Sequence, residues 1–200
     1  MKKLNQILVN KMIENNINAT GISCITSFKS IDGKIIMDSN FPQIMFDLMN
    51  IGIVPVIHGD VIIDSVKNCS ILSGDVVMTK LSEYFTPEKV FFITNVHGIY
   101  LFPPSNEELE IENLIKEISV DEIGNIDLKS NLSYNDVTKG ILGKIENAVQ
   151  IAKLGVEVYI SKCGDLTTEK LLNDEKLEKI DRFTKIFVNS TKKNSKLGNF

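Results

Sequence analysis

Apolar residues at helical spacing recur along much of the chain. They predict an amphipathic first helix, and Gly52 and Gly155 stand where two later helices are expected to end. The predicted helices cover residues 4–16, 41–50, 75–85, 136–155 and 167–173. The polar tract over residues 102–135 contains a turn at 103–106 and an acidic helical stretch, and we expect it to form an excursion on the surface.

Short apolar runs between these helices predict strands. Runs that are apolar on both faces are typical of buried parallel strands, although Pro55 in one of them lacks a ladder donor. The predicted strands cover residues 21–26, 53–57, 89–94, 156–160 and 184–188, with a hairpin at 31–36 around Asp32-Gly33 and a second hairpin or loop at 61–72. Helices alternating with strands predict an α/β fold with a mostly parallel sheet. We expect a single domain over residues 1–190 and a flexible tail over 191–200.

Composition narrows the classes of function. Of the 200 residues, 43% are hydrophobic and 24% are charged, which is a globular balance. The net charge of −4 opposes a nucleic-acid partner, and no apolar run reaches the roughly 18–20 residues of a membrane span. The three cysteines lie far apart and form no Cys/His cluster. We therefore expect no zinc site, a reducing cytoplasmic location and cysteines that pack as buried apolar residues.

Polar residues beside glycine follow several of the predicted strands. In open α/β sheets, ligands bind beyond the carboxyl ends of the strands. Four such places are His58-Gly59-Asp60, Ser73-Gly74-Asp75, residues 95–100 and residues 161–165. Glycine lets a ligand approach the backbone and aspartate orients a lysine or a metal ion, but Gly-Asp is also ordinary turn chemistry. His58 is either a general base or substrate donor or a satisfied, partly buried histidine, whereas His97 is expected at the surface of a turn.

A further candidate site lies at the mouth of the helix predicted from residue 136. Free N–H groups and the helix dipole attract phosphate there, and Lys144, one turn beyond Gly140, would point back at the same anion. The same residues also fit an Asp136 or Thr138 N-cap followed by a solvent-facing lysine. The glycine and lysine spacing is not that of a Walker A motif.

These motifs, in this order, resemble the amino acid kinase superfamily, and within it the isopentenyl phosphate kinases. The resemblance runs from about residue 4 to residue 174 and is densest over residues 52–61, 71–75, 94–100 and 136–144. Pro-Val-Ile-His-Gly-Asp with a following Asp64 points to this branch rather than to uridylate or acetylglutamate kinases. The family fold is a three-layer α/β/α sandwich, usually a homodimer, in which the N-terminal half holds the acceptor and the C-terminal half the nucleotide.

The resemblance implies transfer of the γ-phosphate of ATP, with Mg²⁺, to isopentenyl phosphate. The implied acceptor-binding residues are His58, Gly59, Asp60, Gly74 and Asp75. The implied nucleotide-binding residues are Asn95, Gly98, Tyr100, Gly140 and Lys144. Asp75 would orient catalytic lysines and Lys144 would contact the ATP phosphates, so these two are the implied catalytic residues. No residue is assigned to a metal, and the expected partners are small molecules rather than nucleic acid or membrane.

The chain also departs from the family pattern. The family opens with a Lys-x-Gly-Gly-Ser loop and a second glycine-rich loop ending in histidine, whereas this chain contains no Gly-Gly pair. We therefore expect the N-terminal portion to be missing. Asn95 and His97 stand where the family has aspartates, and Lys139 replaces a glycine. Two alternatives stay open: a non-catalytic relative that binds a nucleotide or phosphometabolite as a regulatory module, and a kinase for another small phosphate, phosphonate or carboxylate.

Overall fold

The computed structural model describes residues 1–102, 107–121 and 137–189. The turn expected at 103–106, the polar connection over 122–136 and the tail over 191–200 lie outside the described residues. The chain divides into two compact units, Met1–Phe85 and Thr86–Phe200, which we call unit 1 and unit 2. None of the helices in the described ranges is long and apolar enough to cross a bilayer.

Unit 1 contains two small sheets and three helices. Its elements are α1 (Lys2–Glu14), β1 (Ala19–Ser23), β2 (Phe28–Ile31), β3 (Lys34–Met37), α2 (Phe41–Asn50), β4 (Val54–His58), β5 (Asp60–Asp64), β6 (Asn68–Leu72) and α3 (Gly74–Phe85). Strands β1 and β4 form a parallel pair. The other sheet has the order β3-β2-β5-β6, with a parallel pair at its centre and an antiparallel hairpin on each side.

The core of unit 1 lies between the four-stranded sheet and helices α2 and α3. Its fully or nearly buried members are Cys24, Phe28, Phe41, Met45, Ile62, Leu72 and Val77. The rings of Phe28 and Phe41 meet edge to face with centroids 5.2 Å apart. Burial of each large apolar side chain stabilises the fold by about 1.5–3 kcal/mol relative to exposure. This core fixes β5 and β6, which carry the two Gly-Asp motifs of unit 1 at their ends.

The buried carboxylate of Asp64 connects the two hairpins of this sheet. It accepts hydrogen bonds from the Ser30 hydroxyl at 2.6 Å and from the backbone N–H of Gly33 at 2.8 Å. It also accepts from the backbone N–H groups of Val66 and Lys67 at 2.9 and 2.8 Å. The Ser30 bond, with these backbone bonds, holds the pKa of Asp64 well below its usual range. Asp64 therefore stays ionised while it holds both turns.

Unit 2 is built around a mixed four-stranded sheet. Its elements are β7 (Lys89–Thr94), β8 (Ile99–Tyr100), α4 (Glu107–Asn113), β9 (Leu114–Ile115), β10 (Glu117–Ser119), α5 (Val137–Ala152), β11 (Glu157–Lys162), α6 (Leu166–Leu172) and β12 (Thr184–Phe187). The sheet order is β10-β12-β11-β7, and β8 pairs with β9. Strands β7 and β11 are parallel, so their carboxyl ends lie at the same edge. That edge carries the motifs expected to bind nucleotide.

Most predicted elements are present at the predicted places. Helix α2 and strand β7 have the bounds expected from the sequence, and the Asp32-Gly33 turn closes the β2–β3 hairpin. Residues 61–72 form a hairpin rather than a loop. The expectation of a loose surface excursion over residues 102–135 is wrong for residues 114–119. Strands β9 and β10 lie there, with Leu114 and Ile118 buried, and strands of two and three residues are too short to show a period in the sequence.

The cysteines also differ from expectation. Cys24 is buried in the core of unit 1, whereas Cys69 and Cys163 are exposed. Cys69 lies on the outward face of β6, where side chains alternate between core and solvent. Cys163 lies in the turn that follows β11. Buried packing therefore applies to Cys24 alone.

Candidate functional site

In unit 1 the fold brings the His58-Gly59-Asp60 and Ser73-Gly74-Asp75 motifs together. Strands β5 and β6 pair with Asp60 opposite Leu72, so the β4–β5 corner lies beside the start of α3. A Cβ atom on Gly59 would lie 2.5 Å from the carbonyl oxygen of Leu72 and 3.2 Å from the backbone nitrogen of Gly74. Only glycine fits this backbone approach, which brings the two motifs side by side.

Helix α3 presents its N-terminus at this place. The Ser73 hydroxyl oxygen accepts a hydrogen bond from the backbone N–H of Val76 at 3.2 Å and so caps the helix. Asp75 lies in the first turn, with its carbonyl accepting a hydrogen bond from the Thr79 hydroxyl. A Cβ on Gly74 would meet nothing within 4 Å. Packing within unit 1 therefore does not require glycine at position 74, and the space in front of the helix is suited to an anion.

The Asp60 carboxylate is held by a neighbouring strand. It accepts a hydrogen bond of 2.5 Å from the Ser23 hydroxyl at the end of β1. That bond, assisted by the backbone N–H of Val61 and by the charge of Lys2, lowers the pKa of Asp60 below its usual value. The half-buried His58 ring lies beside it, with Nδ1 2.8 Å from the carbonyl oxygen of Gly59. Asp60 is thus an ionised, oriented carboxylate.

A cavity of about 370 Å³ adjoins this corner. It lies between α1 and the β1–β4 pair, and both polar and apolar residues line it. Its lining residues are Lys2, Asn5, Gln6, Val9, Ala19, Thr20, Gly21, Ser23 and His58. The Asn5 side chain donates to the carbonyl oxygen of Val56 at 2.8 Å, which holds α1 against the strands. The cavity has the size and the mixed lining of a site for a small polar molecule.

In unit 2 two candidate loops follow the parallel strands β7 and β11. Thr94 lies opposite Lys162 in the ladder, and the backbone N–H of Cys163 donates to the carbonyl oxygen of Thr94 at 2.8 Å. Asn95 is exposed and accepts a bond of 3.3 Å from the Thr94 hydroxyl. Gly164 has a φ of +76°, which favours glycine, and no neighbour would contact a Cβ there. Both loops thus begin at the same edge of the sheet.

His97 is buried, and the expectation of a surface turn residue is wrong. Its side chain is about 5% exposed. Ring atom Nδ1 lies 2.6 Å from Oε1 of Glu110 in α4, and Nε2 lies 3.1 Å from Oδ2 of Asp165 at the N-cap of α6. The Tyr100 hydroxyl donates to Glu110 at 2.7 Å and, with His97, lowers the pKa of the Glu110 carboxyl. Burial and the hydrogen bond to Glu110 raise the pKa of Tyr100.

Gly98 is fixed by its packing against β12. A Cβ on Gly98 would collide with the side chain of Thr184 and would lie 3.0 Å from its backbone nitrogen. Thr184 is fully buried, and its hydroxyl donates to the carbonyl oxygen of Ile115 at 2.6 Å while accepting from the N–H of Ile99 at 2.8 Å. The conformation of the loop through Gly98 is therefore set from inside unit 2.

Gly140 and Lys144 both belong to helix α5. Gly140 lies in the first turn, and Lys144 follows one turn later. The Lys144 ammonium lies 5.2 Å from the centre of the Phe92 ring, so its side chain reaches β7. A Cβ on Gly143 would meet nothing within 4 Å. The lysine expected to contact phosphate thus lies over the same strand that ends at Thr94.

The described residues offer no dedicated metal site. Over 1–102, 107–121 and 137–189 no group of three or more histidine, cysteine, aspartate or glutamate side chains gathers around one point. Mg²⁺ in phosphoryl-transfer sites commonly takes one or two carboxylates and fills its remaining positions with substrate phosphates and water. The described donor set therefore does not fit a metal ion held by protein ligands alone.

Comparison with known proteins identifies the family. A sequence model of the amino acid kinase family matches residues 1–162. The chain belongs to this family. The isopentenyl phosphate kinase of Arabidopsis thaliana is 41% identical over 136 residues, which cover 62% of this chain and 41% of that protein. The isopentenyl phosphate kinase of Methanothermobacter thermautotrophicus is 29% identical over 163 residues, which cover 80% of this chain and 59% of that protein.

Solved structures support the same family and confirm the predicted fold class. An X-ray structure of isopentenyl phosphate kinase superposes with a TM-score of 0.70 at 25% identity, covering 92% of this chain and 66% of that one. The product complex of the Thermoplasma acidophilum isopentenyl phosphate kinase shares the fold with a TM-score of 0.64 at 22% identity. The chain spans 41% and 59% of the length of the Arabidopsis and Methanothermobacter relatives.

Three residues with a part in the candidate sites escaped the sequence analysis. Ser23 orients Asp60, Glu110 binds His97 and Tyr100, and Thr184 packs against Gly98. Ser23 lies inside the predicted strand 21–26 but is the last residue of the observed β1, so its place at a strand end was not visible in the sequence. Glu110 lies within an acidic run, where no single carboxylate stands out.

Proposed function

We propose that this chain is part of an ATP-dependent kinase that transfers the γ-phosphate of ATP to isopentenyl phosphate. Membership of the amino acid kinase family supports a phosphotransferase. The acceptor is proposed from the relatives and solved structures that carry the name isopentenyl phosphate kinase. The product of this transfer would be isopentenyl diphosphate, and the reaction would be a step in isoprenoid synthesis.

The observation that carries the proposal is the approach of Gly59 to Leu72 and Gly74. It places the His58-Gly59-Asp60 corner beside an uncrowded helix N-terminus, where backbone N–H groups and the helix dipole favour a phosphate. The nearby cavity of about 370 Å³ is within the size range of small-molecule sites, and we propose that it takes part in holding the acceptor. We propose His58, Gly59, Asp60, Gly74 and Asp75 as the acceptor-binding residues.

In unit 2 the proposal assigns the nucleotide to the loops after β7 and β11 and to helix α5. The proposed nucleotide-binding residues are Asn95, Gly98, Tyr100, Gly140 and Lys144. Phosphoryl transfer is promoted chiefly by positioning and by neutralising charge on the transferred group. Lys144 would supply positive charge to the ATP phosphates, and Asp75 would orient the lysines of the site. Gly98 and Tyr100 would act through the shape of the loop, since Gly98 packs on Thr184 and the Tyr100 hydroxyl bonds to Glu110.

Magnesium enters this proposal with the nucleotide. When bound to ATP it neutralises charge on the β- and γ-phosphates, and its ligands would be phosphate oxygens and water rather than a protein cage. We further propose a cytoplasmic homodimer whose ligands are small molecules.

Two residues of the loop after β7 favour a second function, which is binding without catalysis. Asn95 offers an amide where the family has a carboxylate, and both ring nitrogens of His97 face carboxylates inside unit 2. A relative that binds a nucleotide or phosphometabolite without turnover would keep such a loop as a rigid binding element. A kinase for another small phosphate, phosphonate or carboxylate remains the third candidate.

Nucleotide titration with matched lysine variants tests the proposed site. Isothermal titration of the 200-residue chain with a non-hydrolysable ATP analogue and Mg²⁺ should give saturable binding. Lys144→Ala should weaken it by about tenfold or more, as expected for loss of a charge-assisted phosphate contact. Lys153→Ala, an exposed lysine that follows α5, is the control and should bind like the parent chain. Equal binding by both variants would remove Lys144 from the site, and no binding by the folded parent chain would contradict the nucleotide assignment.

Turnover separates the candidate functions. Coupled ADP release with isopentenyl phosphate should fall by about 100- to 1,000-fold in Asp75→Asn, on the scale of losing one group that positions charge in the transition state. Nucleotide binding without ADP release in the parent chain would favour the binding module. ADP release with a different phosphate, phosphonate or carboxylate acceptor, but not with isopentenyl phosphate, would favour the third candidate.

A further inference from the structure

His97 joins three elements of unit 2 through one buried ring. Nδ1 contacts Glu110 of α4 at 2.6 Å, and Nε2 contacts Asp165 at the start of α6 at 3.1 Å. His97 itself belongs to the loop between β7 and β8. With a side chain about 5% exposed, the ring makes its polar contacts to the protein rather than to solvent.

Each carboxylate that contacts His97 also holds a second group. The Asp165 side chain accepts a bond of 2.7 Å from the backbone N–H of Thr167 and thereby caps α6. Glu110 accepts from the Tyr100 hydroxyl at 2.7 Å, and its other oxygen lies 3.7 Å from the Arg182 guanidinium. Substitution of His97 would therefore alter contacts of the loop after β7, of helix α4 and of the turn before α6.

The two loops joined by His97 lie where α/β proteins bind ligands, so the contacts of His97 matter for ligand binding as well as for stability. One loop follows β7 and the other follows β11, and the two strands are parallel neighbours. Ligands of α/β sheets bind at this edge, and the exposed residues Asn95 and Gly164 lie in the two loops. The buried ring of His97 connects one loop to the other, since His97 belongs to the loop after β7 and contacts Asp165 in the turn after β11.

We propose that His97 is a positioning residue for nucleotide binding, acting through Glu110 and Asp165 to hold the 95–98 loop against the 163–165 turn. The inference rests on the proposed function, because it assumes that these loops bind the nucleotide. An ordinary buried histidine would stabilise unit 2 without favouring one ligand. A positioning residue affects the nucleotide specifically and leaves the acceptor unaffected.

Three substitutions separate these roles. His97→Phe keeps a planar ring and removes both contacts. His97→Gln keeps an N–H donor that can bind one of the two carboxylates, so it should restore part of the function. Asp165→Asn keeps α6 capped, since asparagine is as good an N-cap as aspartate, but it removes a charged partner of the ring. Tyr159→Phe is the control, because it deletes a side-chain hydrogen bond to Glu157 in β11 and touches neither loop.

The readouts are the dissociation constants for a non-hydrolysable ATP analogue and for isopentenyl phosphate, together with thermal unfolding. His97→Phe should weaken nucleotide binding by about tenfold or more, because the ring contacts to both carboxylates are lost, while acceptor binding stays within about twofold. His97→Gln and Asp165→Asn should fall between His97→Phe and the parent chain, and Tyr159→Phe should match the parent chain. KM for ATP should rise more than kcat falls.

Two results would overturn the inference. A folded His97→Phe variant with parent-like nucleotide affinity would exclude a positioning role, and so would an equal loss of nucleotide and acceptor affinity in proportion to lost stability. If His97→Phe does not fold, the same comparison is made with Asp165→Asn. Absence of nucleotide binding in the folded parent chain would instead defeat the proposed function, and the inference with it.

Discussion

The Cα of Gly59 lies so close to the carbonyl oxygen of Leu72 that a Cβ atom would stand 2.5 Å from it. Gly59 connects β4 to β5, and Leu72 is the last residue of β6. Strand pairing holds the backbone at both residues, so neither moves aside cheaply. The contact fixes the β4–β5 corner against the start of α3, and it is the reason that the two Gly-Asp motifs of unit 1 share one place.

Alanine substitutions at two glycines test this contact. Gly59→Ala should lower the free energy of unfolding by about 1–3 kcal/mol, on the scale of overpacking in a well-packed region. Gly74→Ala places its methyl group in open space and should change stability by less than about 0.5 kcal/mol. If Gly74 lies against a bound phosphate, the same variant should still lose affinity for isopentenyl phosphate. Urea unfolding measures the change in unfolding free energy for each variant, and equal stabilities for the two variants would contradict the contact.

The Asp64 carboxylate predicts a particular response to acid. Its folded pKa is depressed, so the stability it contributes is present above the unfolded pKa of about 4 and is lost as the pH falls through the lower folded value. Asp64→Asn should be less stable at pH 7, and the stability gap to the parent chain should narrow as the pH is lowered below about 4. Unfolding midpoints measured between neutral and acidic pH check this, and a gap independent of pH would refute it.

Removing the buried hydroxyl of Thr184 should lower the free energy of unfolding. Thr184→Val keeps the side-chain shape but leaves the N–H of Ile99 and the carbonyl of Ile115 without their partner. Each unsatisfied buried group costs about 1–3 kcal/mol, so a loss of about 2–4 kcal/mol in unfolding free energy is expected. Thr184→Ser retains the hydroxyl and should recover most of that loss. A valine variant as stable as the serine variant would show that these bonds are dispensable.

The three cysteines should differ in reactivity. Burial, assisted by the negative charge of Asp60, raises the pKa of the Cys24 thiol to about 11, whereas Cys69 and Cys163 are exposed. Because the thiolate is the reactive form, a thiol reagent at pH 8 should modify two cysteines in the native chain and the third after unfolding. Mass spectrometry of the labelled peptides identifies them. Rapid labelling of Cys24 in folded protein would contradict its place in the core.

Features set by local sequence were predictable. The Asp32-Gly33 turn and helix α2 follow from residue types within a few positions of one another, and both stand where expected. The strand-end rule marked both Gly-Asp motifs of unit 1 as candidate places, but their approach depends on the antiparallel pairing of β5 with β6, which the sequence did not show.

Features set by distant partners were not predictable. His97 was expected at the surface because its partners Glu110 and Asp165 lie 13 and 68 positions away. Thr184 bonds residues 69 and 85 positions away, and nothing in its neighbourhood marks it. A single sequence does not show which distant residues contact one another. The burial of a polar residue against such partners is therefore seen only in the structure.

The most direct test of the proposed function is ³¹P NMR of ATP and isopentenyl phosphate incubated with Mg²⁺ and the 200-residue chain. The account predicts that the monophosphate signal of the acceptor gives way to a pair of diphosphate signals while ADP accumulates, and that Lys144→Ala slows both changes together. A folded chain that binds ATP yet leaves the isopentenyl phosphate signal unchanged would contradict the proposed reaction.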